Sequence, residues 1–268
     1  DAWQAMLPGL SVSRVEEAPI WIGARRFIPT GPDARVVRHA SFVPAAGASV
    51  TGHLHVLGYE PLVIETFDAL QQMENPEDPA TSFNTLLGVK YLLSSEPYEK
   101  TGFELIGSDA DYRYYRRTDP FPRVWIASEV VVQPDDAAVR RRLVAPDTDL
   151  RRTVFLDRSL DCPSAGGAAA ITAYNRNDVT IQTDGGGGVL VLSDQVYPGW
   201  RATVDGQPVD IARADTIFRA VCVGPGQHTV RFEFRPSIFY AGVAISAAGW
   251  AAWGLLALIG WRRSRRTS

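Results

Sequence analysis

The sequence predicts a mixed α/β N-terminal part, then an antiparallel β-sandwich, followed by one C-terminal transmembrane helix. Three observations carry that expectation: an uncharged run of 23 residues near the C-terminus, a strand that alternates cleanly between apolar and polar residues, and an Asp-Gly pair set between two strand-like stretches. The boundaries they imply are 1–120 for the mixed region, 121–237 for the sandwich, 238–261 for the helix and 262–268 for a basic tail.

The uncharged run is "FYAGVAISAAGWAAWGLLALIGW", Phe239 to Trp261. As a helix it extends about 34 Å, enough to cross a hydrocarbon core of roughly 30 Å. Its one polar side chain apart from the aromatic ends is Ser246, whereas a soluble core helix of this length shows a polar stripe. Tyr240 and Trp261 stand near its two ends, as in an interfacial aromatic belt. Arg262, Arg263, Arg265 and Arg266 follow at once, while the preceding flank carries only Arg235. The positive-inside rule therefore predicts a cell-membrane protein with a cytoplasmic tail and residues 1–237 outside the membrane. The chain opens at "DAWQAMLPGLSV", with no initiator Met, basic n-region or apolar h-region. An exported domain needs such a signal, so the sequence is expected to be the C-terminal piece of a longer membrane protein.

Composition agrees with a folded chain: 268 residues, 46% apolar and 21% charged. A formal net charge of −3 argues against a nucleic-acid surface, which needs a basic excess. Cys162 and Cys222 suit an oxidising compartment, but their spacing leaves a disulfide and two buried thiols equally open.

In the first 120 residues, "ARVVRHASF" reads as a strand, "PLVIETFDALQQM" (61–73) as a helix and "SFNTLLGVKYLLSSE" as a helix running into a strand. "FELIGSD" and "YRYYRRTD" read as a hairpin, and "TDPFPR" (118–123) links the halves through two prolines. Beyond it, "PRVWIASEVVV" is a strand, "DDAAVRRRLV" an Asp-capped helix and "RRTVFLD" another strand. After the small-residue loop "PSAGGAAA", the glycine run 185–188 joins "ITAYNRNDVTIQTD" to "GVLVLSD". "WRATV", Asp205-Gly206 and "PVDIA" form one hairpin, because both central residues of a type I′ turn need positive φ. "TIFRAVCV", Pro225-Gly226 and "QHTVRFEFRP" form a second. In its last strand Val230, Phe232 and Phe234 share one face, and Thr229, Arg231, Glu233 and Arg235 the other. About seven strands at this spacing suggest a sandwich.

No stretch has the pattern of a catalytic constellation. His53 and His55 in "GHLHVLG" share a face of a possible strand, but two ligands do not close a zinc site. Asp109 and Asp111 lack the Gly and distal Glu of a calcium loop, and "DGGGG" lacks the Lys-Ser/Thr of a phosphate-binding loop. No metal or cofactor is expected. The candidate ligand residues are Tyr197 and Trp200 in "YPGWRATVDGQPV", whose rings could stack on a sugar, with Arg201 a polar neighbour. A Trp that begins a strand is more often part of a core, and both readings stay open.

The order of these motifs resembles a known family. "LSDQVYPGWRATVDGQPVDIARADTIFRAVCVGPGQHTVRFEFRPSIFYAGVAIS" is similar to the C-terminal signature of the YfhO family of bacterial membrane proteins, in which a "PGW…VDG" hairpin, a "G-x-H-x-V" strand and an Arg-Pro lead into the last transmembrane helix. "SVTGHLHVLGYEPLVIETFDALQQ" and "SFNTLLGVKYLLSS" resemble the region that follows that family's membrane bundle. The resemblance implies a large multi-pass protein similar to the GT-C class of membrane glycosyltransferases, which take a polyprenyl-phosphate-linked sugar as donor. Their catalytic acid lies in an early loop of a helical bundle outside this sequence, so no catalytic residue carries over to any position here. The implied function is an extracytoplasmic accessory domain of such an enzyme in cell-envelope glycosylation, not itself catalytic. Its expected partners are the lipid bilayer, a polyprenyl-linked sugar or envelope glycan, and the N-terminal bundle of the same chain. The alternative is a non-enzymatic, membrane-anchored β-sandwich that binds envelope glycans or membrane-protein partners.

Overall fold

The computed structural model describes residues 19–31, 34–39, 52–56, 65–75 and 78–264. The N-terminal part is a five-stranded mixed sheet. Its strands are β1 (Arg35–His39), β2 (Leu54–His55), β3 (Tyr91–Ser94), β4 (Phe103–Ser108) and β5 (Arg113–Arg117), in the order β2-β1-β3-β5-β4. β1 runs parallel to β2 and β3, and β5 pairs antiparallel with β3 and β4. Helix α1 (Pro19–Phe27) lays Ile20 and Ala24 on one face, against Val36, Leu93 and Tyr114. Val37, Leu92 and Tyr115 cover the other face with Val89 and Tyr98. Within 61–73 the helix is α2 (Glu65–Gln71), and residues 61–64 lie outside the described ones. The expected helix-into-strand is α3 (Ser82–Leu86), capped by the Thr81 hydroxyl, followed by β3.

The sandwich is larger than seven strands. Its ten are β6 (Val124–Ala127), β7 (Glu129–Val132), β8 (Thr153–Leu156), β9 (Gly166–Asn175), β10 (Asp178–Gln195), β11 (Trp200–Val204), β12 (Gln207–Val209), β13 (Ala212–Ala214), β14 (Phe218–Val223) and β15 (His228–Phe234). Helix α4 (Asp136–Leu143) is capped as expected, with the Asp135 carboxylate accepting from the Ala137 N–H at 2.9 Å. All pairings are antiparallel except β7 with β8.

Two expected connections are different. The glycine run joins no hairpin: β10 passes straight through it as one 18-residue strand. Its first half pairs with β9 and β15, its second with β6 and β14, so one strand belongs to both sheets. The glycines make the corner. A Cβ at Gly185 would come within 2.7 Å of Gly167 Cα, and one at Gly187 within 2.5 Å of the Gly224 carbonyl carbon. β14 and β15 likewise form no hairpin. They flank β10, and the Pro225-Gly226 turn arches from one sheet to the other, its Gly226 N–H bonding to the Gly185 carbonyl at 2.8 Å. Alternation marks which face of a strand is apolar, but not which neighbour it pairs with.

Smaller departures have local causes. "PRVWIASEVVV" splits at Ser128, where β6 pairs with β10 and β7 turns to β8. Gly166–Ala170 of the expected loop "PSAGGAAA" belongs to β9, and a turn at Arg176-Asn177 separates β9 from β10. The 118–123 stretch is not a free tether, since Phe121 is fully buried against Trp125, ring centroids 4.9 Å apart. The alternation in β15 holds: Val230 and Phe232 are buried, while Thr229 and Arg231 are exposed.

Two cores result, stacked on either side of one sheet. Leu190, Leu192, Val221 and Val223 of that inner sheet meet Val179, Ile181, Val230 and Phe232 of the outer sheet. Its other face carries Val189, Val191, Phe218 and Ala220 against Leu70, Phe83, Val139 and Leu143 of the helices. Covered on both sides, Val189–Leu192 of β10 reads as a continuous apolar run, and β14 is apolar but for Arg219. Cys162 and Cys222 form a disulfide, Cα atoms 5.5 Å apart, which settles the pairing left open by spacing.

The Asp205-Gly206 turn has φ of 51° and 80°, the type I′ geometry expected between β11 and β12. A Cβ at Gly206 meets nothing within 4 Å, so a side chain there costs backbone strain alone. Gly206→Val is expected to lower unfolding free energy by about 1 kcal/mol or more in thermal melts.

β15 runs through Arg235-Pro236 directly into α5 (Ser237–Ser264). Ser237–Leu255 has a mean hydropathy of 1.4, and none of it is covered by the rest of the described chain. Ile238, Ile245 and Trp250 are each more than 70% exposed. An uncovered apolar helix of this length is suited to lipid, not to water.

Candidate functional site

The three candidate ligand residues sit where the last strands approach α5. Tyr197 lies in the turn before β11, half exposed, its ring 6.4 Å from that of Phe234. Trp200 opens β11 opposite Phe234, ring centroids 5.4 Å apart, and packs on the sandwich core. Arg201 is exposed on the opposite face of the strand, across from Glu233. Tyr197 and Trp200 thus flank one phenylalanine, and Arg201 does not join them. The turn is tied to the start of the helix, because the Gly199 carbonyl accepts from the Arg235 N–H at 2.7 Å.

Beneath Trp200 lies a cluster that the sequence did not point to. Asp194, at the end of β10, is 8% exposed and faces three arginines. Its Oδ1 accepts from Arg35 Nη2 at 2.6 Å and from Arg123 Nη2 at 2.7 Å; its Oδ2 accepts from Arg219 Nη2 at 3.1 Å. Arg35, from β1, also donates to the Leu87 carbonyl at 2.6 Å and the Ser193 carbonyl at 2.8 Å. It thereby joins the N-terminal sheet to the sandwich. Arg123 stacks on the Tyr174 ring at 4.1 Å and donates to its hydroxyl. Arg219 lies over the Trp200 ring at 3.7 Å, 5.3 Å from that of Phe232. Such cation–π contacts are worth about 2 kcal/mol when desolvated.

The electrostatics follow from burial. Desolvation draws Arg219 down to about 10, against the opposing pull of Asp194. Arg35 is also drawn to about 10, by desolvation and by the neighbouring Arg123. Both remain cationic at neutral pH. Burial alone would raise the Asp194 carboxyl, but the three guanidiniums overcome it and hold it below the ordinary carboxylate range. Arg219 still has unmet needs: its Nε and Nη1 are buried without a hydrogen-bond partner. Each unpaired buried group of this kind costs about 1–3 kcal/mol, and more when charged.

Asp215 is a second buried carboxyl, at φ 47° in the turn between β13 and β14. Burial raises it to about 7, opposed by the Phe155 N–H that donates to its Oδ1 at 2.9 Å. Its own N–H bonds to the Phe155 carbonyl at 2.8 Å, so the residue extends the pairing of β13 with β8. A carboxyl raised above its unfolded value of about 3.8 contributes stability that is fully present below that value and lost as pH rises towards 7. Asp215→Asn is expected to remove this loss and to stabilise the protein at pH 7–8 by on the order of a few kcal/mol. Denaturant melts of wild type and variant between pH 4 and 8 check it: parallel curves across that window contradict the assignment.

His53 is buried, its Nε2 3.3 Å from the Ile28 carbonyl, and the side chain of His55 lies outside the described residues. Asp109 closes the β4–β5 turn, accepting from the Asp111 and Tyr112 N–H groups and from the Tyr114 hydroxyl. Among the described residues no group of three or more His, Cys, Asp or Glu is placed to hold a metal.

No curated protein and no solved structure matches the chain significantly. Residues 167–246, from β9 through the first turns of α5, match the family model described as bacterial membrane protein YfhO, so that over this stretch the chain is similar to that family, and the match and the uncovered apolar helix together support membrane association.

Proposed function

We propose that this chain is the extracytoplasmic accessory part of a multi-pass, glycosyltransferase-like membrane protein that acts in cell-envelope glycosylation from a polyprenyl-phosphate-linked sugar. The observation that carries the reading is the joint between sandwich and helix. β15 enters α5 after two residues, with the Tyr197–Trp200 turn bonded to that joint. A domain held this way stays at the bilayer surface, where a lipid-linked donor presents its sugar. The disulfide and the arginines at 262–266 both support the extracytoplasmic side for residues 1–237 and a cytoplasmic tail. Catalysis belongs, on this reading, to the upstream helical bundle, and Tyr197 with the edge of Trp200 is the surface that meets sugar, Arg201 standing on the opposite face of β11.

Sidedness has a direct test by cysteine labelling against the unsubstituted protein, since both cysteines of this sequence are in the disulfide. In intact cells Gln207→Cys is expected to react with a membrane-impermeant maleimide, and Thr267→Cys only after permeabilisation. The reverse pattern overturns the orientation. For the transferase reading, envelope glycans of cells with and without the gene are compared by mass spectrometry. Loss of one sugar modification on deletion supports it. Unchanged glycans overturn it in favour of a glycan- or partner-binding sandwich.

A further inference from the structure

We propose that the Tyr197-Pro198-Gly199 turn is a second membrane contact, with the Tyr197 ring seated among lipid head groups beside the start of α5. The inference rests on α5 crossing a bilayer and needs no glycosyl transfer. β11 runs antiparallel to β15, with Trp200 opposite Phe234, so the turn before β11 lies at the end of the sheet from which α5 leaves. Contact fixes it there. The Gly199 carbonyl accepts from the Arg235 N–H at 2.7 Å, and a Cβ at Gly199 would come within 2.9 Å of the Phe234 ring and 3.0 Å of the Pro236 Cβ. Tyr197 is two residues from that hydrogen bond, a reach of no more than about 7 Å. The polar layer on each side of the hydrocarbon is about 5–7 Å thick, so a helix that begins in this layer carries the turn against it.

The side chains suit that layer. Tyr197 is 53% exposed, and Phe239 and Tyr240 at the first turn of α5 are 63% and 55% exposed, so three uncovered rings surround the joint. A tyrosine with an apolar body and a polar tip is best placed where one end is dry and the other wet. Residues 196–204 and 234–246 include Arg201 and Arg235 but no carboxylate. Glu233, one residue earlier, is held by Arg231 at 2.9 Å and Arg235 at 3.1 Å. An arginine here can lay its stem along the apolar boundary and extend its head to lipid phosphates. The other end of β11 has the opposite character: the turn to β12 carries Asp205 and Gln207 and no aromatic side chain. A lipid-linked sugar would enter the same layer, so the contact is with head groups whether or not one is present.

The test uses the full chain reconstituted in phosphatidylcholine vesicles that contain a lipid with a nitroxide on its head group. Pro198→Cys places an environment-sensitive fluorophore on the exposed turn, with the unsubstituted protein as the labelling background. Gln207→Cys is the control, because it stands beyond the far end of β11, about 17 Å of strand away. The label at 198 is expected to show blue-shifted emission and about threefold more quenching than the label at 207, given the thickness of the polar layer. With the label at 198, Tyr197→Asp is expected to remove at least half of that excess, and Tyr197→Ser repeats the measurement if the aspartate disturbs the fold. Equal quenching at 198 and 207 overturns the contact and leaves the aromatic turn to water or to a protein partner. Undiminished quenching in the folded Tyr197 variant also overturns it, since tethering by α5 alone would then hold the turn near the lipid. No sugar is present, so either failure leaves the accessory role in glycosylation to stand or fall by the glycan comparison.

Discussion

Asp194→Ala is expected to destabilise the protein by about 3–5 kcal/mol, enough to abolish folding of a typical domain. The size follows from what remains. Arg35, Arg123 and Arg219 would face one another in a space where their side chains are 12%, 5% and 3% exposed, with no carboxylate between them. Breaking a buried pair by removing one partner costs far more than the pair contributes against an apolar replacement, and here one partner serves three cations. Asp194→Asn should be milder, because its carbonyl oxygen still accepts from the arginines. Circular dichroism and thermal melts in detergent provide the comparison. Two variants of equal, near-wild-type stability would show that the cluster is not the electrostatic centre described above.

Gly187→Ala is expected to cost about 3 kcal/mol or more, for one added methyl group. Gly187 has φ of 83°, and the new Cβ would stand 2.5 Å from the Gly224 carbonyl carbon and 2.6 Å from its oxygen. Positive φ in a non-glycine residue costs about 1–3 kcal/mol, and forcing the two backbones apart adds a cost of similar size. Gly206→Ala provides the control, since that glycine has positive φ but open space around it. Equal losses in the two variants would mean that backbone contact at the corner of β10 contributes nothing.

The contrast between these sites shows what the sequence made legible. Local rules found local features. The turn at Asp205-Gly206, the Asp135 cap on α4, the β4–β5 hairpin and the uncharged span of α5 each depend on residues close together in the chain. Pairing partners were not accessible in the same way. β14 and β15 are adjacent in sequence and apolar on the expected faces, yet β10 lies between them, and only the volume of the two sheets decides that. The arginine cluster was further out of reach, because Arg35, Arg123 and Arg219 stand 159, 71 and 25 residues from Asp194. One signal was present: Arg219 interrupts the otherwise apolar stretch "IFRAV" of an inner strand, and a lone cation in such a run needs a buried counter-charge. Trp200 shows the same limit from the other side. Its place at the head of a strand was readable, but its arginine neighbour was not.

The way β15 joins α5 has a mechanical consequence. β15 is held by β10 through six residue pairs and by β11 through five, all antiparallel and all roughly along the line of the strand that continues into the helix. A pull on α5 along that line loads these rungs together in shear, whereas a terminal hairpin would peel open one rung at a time. Tilting or lifting the helix in the bilayer therefore moves the outer sheet as a body. Because β10 also belongs to the inner sheet, the displacement passes across both layers to Asp194 at its far end.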